Sequence, residues 1–133
     1  MHRILIIFVF FILGTTASYA DQVLLDDYTA WHLGMITKHQ KCYRYYRNEI
    51  KKFAYGTKRL SGDDLMILAD EMADHKRTSF AFFKDLEGPN SLFLGNMATQ
   101  YDASDYAPYR KKYPQLTEYF NWIPDLEKCL GIK

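Results

Sequence analysis

Turn-forming residues are scarce. Seven glycines and four prolines in 133 residues are too few for the many tight turns of a strand-rich sandwich. Cysteine is scarcer still, with Cys42 and Cys129 alone. That excludes a cysteine-built zinc site, and their spacing excludes a Cys-x-x-Cys redox pair and covalent c-type haem attachment. Neither sign of charge is in excess: 17 Lys and Arg face 16 Asp and Glu, a formal net charge of +1. A balance of this kind argues against nucleic-acid binding as a property of the whole chain. After Leu13 no long apolar run recurs. Gly-x-Ser-x-Gly, phosphate-loop, dinucleotide and His-Glu-x-x-His patterns are all missing, as are the Glu-x-x-His pairs of di-iron bundles.

Aromatic residues are plentiful, at 17% with 11 Tyr and 9 Phe. Hydrophobic residues make up 48% and charged residues 25%, the proportions of a globule rather than of a disordered chain. Met1-His2-Arg3 followed by the apolar run Ile4 to Leu13 and then Ser18-Tyr19-Ala20 has the three parts of a cleavable export signal. The run is too short for a membrane span, which needs roughly 20 residues. Residues 1–20 are therefore expected to be a signal peptide and 21–133 a single helical domain, periplasmic or secreted, with no stable membrane insertion after cleavage. Losing Arg3 takes the bases from 17 to 16 against 16 acids, so the mature chain is neutral. An oxidising compartment favours an intrachain Cys42–Cys129 bridge.

Apolar spacing is helical throughout. Tyr28, Trp31, Met35, His39, Cys42, Tyr46, Ile50 and Phe53 recur near the 3.6-residue period and predict a first long helix with these residues facing the core. Gly56 is a natural stop. Ser61 with Asp64 reads as an N-cap for a second helix, whose apolar face is expected to be Leu65, Leu68, Ala69, Met72, Ser79, Phe80 and Phe83. Gly88-Pro89 ends it. Shorter helical stretches follow, one from Asn90 or Ser91 through Tyr101 and another through Tyr109. A further stretch covers Leu116 to Ile123, and a final turn presents Cys129. The expected fold is all-α: a small irregular bundle of two long and three or four short helices, locked by one disulfide.

Three constellations carry chemistry. His32, Met35 and His39 share a helix face and suit a soft metal such as copper, although the same face is the core stripe. Glu71 and His75 stand four apart, beside Asp70 and Asp74, a spacing that can serve acid–base chemistry in a small hydrolase. The basic run Lys38, Lys41, Arg44, Arg47, Lys51, Lys52, Lys58 and Arg59 is interleaved with Tyr43, Tyr45, Tyr46 and Tyr55. Tyrosine and arginine anchor protein interfaces. With catalytic motifs missing, the leading expectation is an exported binding protein, of inhibitor, immunity or accessory type, that contacts another protein and needs no cofactor. Its contact residues are expected to be Lys41, Arg44, Tyr45, Arg47, Lys51 and Tyr55, with Tyr106 and Tyr109 from a second tyrosine-rich loop.

Overall fold

The computed structural model describes residues 22–57 and 59–132; the expected signal peptide, the cleavage point and Lys58 lie outside them. The described residues are helical, with no strand among them, and form six α-helices and two single turns of tighter helix. We number the helices α1 (Asp27–Ala54), α2 (Gly62–Lys84), α3 (Ser91–Thr99), α4 (Ala107–Arg110), α5 (Thr117–Asn121) and α6 (Leu126–Gly131). The tighter turns, Ser104–Tyr106 and Pro114–Leu116, lead into α4 and α5.

Local chemistry explains the boundaries. The Asp26 carboxylate accepts the Thr29 N–H at 2.7 Å, the Ser61 hydroxyl accepts the Asp64 N–H at 3.1 Å, and Asp125 accepts from Lys128 at 2.8 Å. Each satisfies a backbone donor that a helix start leaves orphaned. Beyond the C-termini of α1 and α2, Gly56 and Gly88 take φ of 73° and 95°, a region that residues with a Cβ avoid.

α1 and α2 form an antiparallel hairpin, pinned at one end by the Tyr28 hydroxyl donating to the Asp85 carbonyl at 2.9 Å. α3 to α6 then wrap the other sides of α1. Ala30, Leu33 and Ile36 meet Leu86, Leu94, Met97, Ala98 and Leu116 in the larger core cluster. Cys42 and Tyr46 meet Cys129 in a smaller one, where the disulfide joins α1 to α6. Gly34 of α1 lies against the Tyr119 ring, an approach a Cβ would block. The extended N-terminal segment is tied down by a two-way amide clamp. The Leu25 N–H donates to the Gln115 side-chain oxygen, and the Gln115 amide donates to the Leu25 carbonyl, at 2.7 and 2.8 Å.

Several core expectations need correction. Tyr28 and Trp31 are about half exposed and Phe53 lies at the surface, while Leu33, Ile36 and Thr37 are fully buried. A stripe of one helix face suits a helix packed on one side; α1 is covered on several. On α2, Phe80 is exposed, and Phe82 packs against the core in its place.

Candidate functional site

The face of α2 that meets α1 carries His75 and Ser79, the two buried residues of that helix. Positions 71, 74 and 78 lie to one side of this line, and 76, 80 and 83 to the other, as the helix period dictates. One flank is a polar cleft and the other is an apolar groove.

At the polar flank, His39 of α1 and His75 of α2 face each other with Nδ1 atoms 2.8 Å apart, and both rings are buried. One proton must lie between two nitrogens at that distance, so one ring donates and the other accepts. The Glu71 carboxylate lies 3.8 Å from His75 Nε2 and favours a proton there. His75 then accepts at Nδ1, and His39 donates. This leaves His39 Nε2 with a bare lone pair, buried and without a hydrogen-bond partner. Tyr46 stacks on His75 and Phe82 stacks on His39, at centroid distances of 5.5 and 5.8 Å. Burial, then the proximity of His75, then Lys38, lower the His39 pKa from 6.5 to about 4. Tyr46 is pushed up to about 12, chiefly by burial, with Glu71 and Tyr45 adding to it. The adjoining cleft, about 220 Å³, is lined by His39, Glu71, Asp74, His75, Arg77 and Thr78. The Glu71–His75 pairing is thus present, and its chemical effect is to hold one proton at a fixed place in the helix hairpin.

The His32, Met35 and His39 stripe does not converge. His32 Nδ1 lies 2.7 Å from the Tyr28 carbonyl, and its ring sits among Tyr28, Trp31 and Phe82, whereas His39 turns to His75. Among the described residues no group of three His, Cys, Asp or Glu is arranged to hold a metal ion.

The expected basic contact face is divided. Lys41 is buried, and its ammonium donates to the Phe120 and Trp122 carbonyls at 2.5 and 2.6 Å. It satisfies carbonyls that the end of α5 would leave orphaned, and it is thereby withdrawn from any partner surface. Burial lowers its pKa, with Asp102 acting in the opposite sense. Arg44 donates to Asp102 at 2.6 Å and lies over the Tyr101 ring; that hydrogen bond holds the Asp102 carboxyl below its usual range. Arg47 lies over the Tyr43 ring, and Tyr45 packs at the edge of Tyr46. Lys51 and Tyr55 are exposed at the far end of α1. Tyr106 and Tyr109 both pack against Phe93 of α3, and Arg110 donates to the Tyr101 and Ala103 carbonyls beneath them. Of the eight predicted contact residues Lys41 is withdrawn, Arg44, Arg47, Lys51 and Tyr55 follow one another along one side of α1 at helical spacing, and Tyr106 and Tyr109 lie apart, against α3.

The opposite flank was not foreseen as a surface. A groove of about 450 Å³ runs between α2 and α3, lined by Lys76, Ser79, Phe80 and Phe83 on one side and Leu92, Asn96 and Thr99 on the other, with Gln40 of α1. Phe80 and Leu92 are 63% and 67% exposed. Three of the groove's polar side chains are engaged within the chain: Gln40 donates to the Ser79 hydroxyl at 3.2 Å, that hydroxyl donates to the Ile36 carbonyl at 3.3 Å, and the Thr99 hydroxyl donates to the Gly95 carbonyl at 2.9 Å. Gly95 allows the Phe83 ring to lie directly on the α3 backbone, where a Cβ would collide with it. One signal for this groove was present in the sequence. Phe80 and Phe82 stand about 200° apart around a helix, so both could not face the same core.

No protein-family model, no curated protein and no solved structure matches the chain.

Proposed function

We propose that the chain is an exported binding protein that acts by contact with another protein, and that the α2–α3 groove is its contact surface. The carrying observation is the pairing of Phe80 and Leu92, large apolar side chains left more than 60% exposed on facing walls of one apolar groove. Single exposed apolar residues are ordinary, whereas a contiguous apolar groove marks an interaction site. A helix of the partner suits a trough between two helices, its apolar side chains seated between the two walls. An inhibitor or accessory factor needs such a rigid platform, and the packed α1–α2 hairpin, with α6 fastened to α1 by the disulfide, supplies one. The exported location rests on the signal expected from the sequence and on the paired cysteines, which suit an oxidising compartment.

Photo-crosslinking tests this reading. With p-benzoylphenylalanine in place of Leu92, the exported protein is expected to form a discrete adduct in its native compartment. Phe80→Asp should abolish the adduct without changing thermal stability, since that ring is exposed. A probe in place of Tyr55 should give none. Adducts from position 55 alone, or from neither position, would move or remove the surface.

A further inference from the structure

Among the described residues Lys76 is the one charged residue that lines the groove, and Lys84 reaches the Phe80 ring from beyond its end; these two bases point to the occupant. Lys76, Phe80 and Lys84 are spaced i, i+4, i+8 on α2, so their Cα atoms follow one ridge, with about 12 Å of helix rise between the two lysines. Lys76 lies 5.5 Å from the Tyr43 ring centroid, and Lys84 lies 5.6 Å from that of Phe80. Neither lysine has a carboxylate partner among the described residues. The opposite wall contributes no charge at all, because Ser91–Thr99 reads SLFLGNMAT. Of the acids near this ridge, Glu71 and Asp74 line the polar cleft instead, and Asp85 follows Lys84 beside Phe80 at the end of α2.

We infer that the groove receives an amphipathic helix of the partner protein that carries acidic residues about two turns apart, flanking its apolar anchors. The inference rests on the binding reading above and deepens it. The apolar anchors enter between Phe80, Phe83 and Leu92. The flanking carboxylates meet Lys76 and Lys84, in a register fixed by the i, i+8 spacing. Charges at the edge of an apolar contact act mainly on encounter rate and on the rejection of wrong partners. A basic helix presenting the same anchors is therefore excluded by repulsion.

The test uses two fluorescein-labelled helical peptides with identical leucine faces. One carries Glu at the two flanking positions and the other carries Lys. Anisotropy titration against the disulfide-intact protein is expected to show at least about tenfold tighter binding of the Glu peptide, equivalent to 1.4 kcal/mol. The preference should shrink as salt rises. Phe80→Ala should weaken binding of the Glu peptide by about tenfold or more, as for an interface anchor. The double variant Lys76→Glu, Lys84→Glu should reverse the preference, a result that simple damage to the fold cannot produce. Equal binding of both peptides, or binding of neither, overturns the inference. So does self-association that Phe80→Asp abolishes, which would make a second copy the occupant. Preferential uptake by vesicles containing phosphatidylglycerol overturns it in favour of a lipid surface. A partner that crosslinks at position 92 while the peptides show no charge preference would leave the binding reading intact and remove only the acidic helix.

Discussion

Replacing Cys42 and Cys129 with alanine is expected to lower the stability of the domain by about 4–5 kcal/mol. The bridge spans 87 positions of sequence, and closing a loop of that size removes about 4.6 kcal/mol of denatured-state entropy in the chain model. Few domains of this size hold more than about 5–15 kcal/mol in total, so the loss takes a large share. The packing around the bridge points the same way. Both cysteines are fully buried, and Cys129 is the one buried residue of α6. Leu126 and Leu130 on the same short helix remain about half exposed, so little else fastens it. Trp122 and Ile132 pack around the bridge and should loosen with it. Urea denaturation of the oxidised protein and of the double variant measures the difference, and the melting temperature should fall by on the order of 20 °C. A change below about 1 kcal/mol would show that the bridge ties down the tail alone.

Acid is expected to weaken the α1–α2 hairpin through its histidines. His39 has its folded-state pKa lowered from 6.5 to about 4, first by burial and then by His75 and Lys38. In the unfolded chain it takes up a proton as pH falls through 6.5, while in the folded chain it resists until about pH 4. The unfolded state therefore binds more protons across that window, and stability falls with falling pH. The loss amounts to about 3 kcal/mol by pH 4, at 1.36 kcal/mol for each pKa unit, and it levels off below. The geometry gives the same sign. The proton that His39 takes up must go to Nε2, which is buried without a hydrogen-bond partner, so the charge it brings is left unsolvated between α1 and α2. Lys38 and Tyr46 from α1 and Glu71, Asp74 and Arg77 from α2 face the pair. Asp26 and Asp102 have lowered pKa values, so their contribution is lost at lower pH than that of His39. Denaturation at several pH values from 7 to 4 should show the slope, and His39→Gln, which bonds without titrating, should flatten it. An unchanged slope in that variant would assign the acid sensitivity to other groups.

Much of the fold was legible because its determinants are local. Ser61 capped the second helix as its spacing with Asp64 implied, Gly56 ended the first, and the two cysteines had no other partner. The buried sides of α1 were less legible. Leu33 and Ile36 lie off the periodic stripe, and their burial depends on α3 and on the turn before α5 packing there, which is long-range information. The candidate site divided in the same way. Glu71 and His75 are neighbours on one helix and could be read together. His39 comes from 36 positions away, and only the hairpin register brings it to His75. Lys41 resembled a solvent-facing base by composition; its role as a donor to the carbonyls at the end of α5 follows from where that helix docks. The groove was hidden because Phe80 fits a periodic apolar face, and only the angular conflict with Phe82 shows that one ring must turn outward.

The central claim is that binding occurs on the α2–α3 flank. Backbone amide chemical-shift mapping of the isotope-labelled protein, titrated with the Glu-bearing helical peptide, tests it most directly. The largest shifts are expected on Lys76, Phe80, Phe83, Leu92 and Asn96, with Arg47, Lys51 and Tyr55 unmoved. Shifts concentrated on Arg47 to Tyr55, with the groove silent, would contradict it.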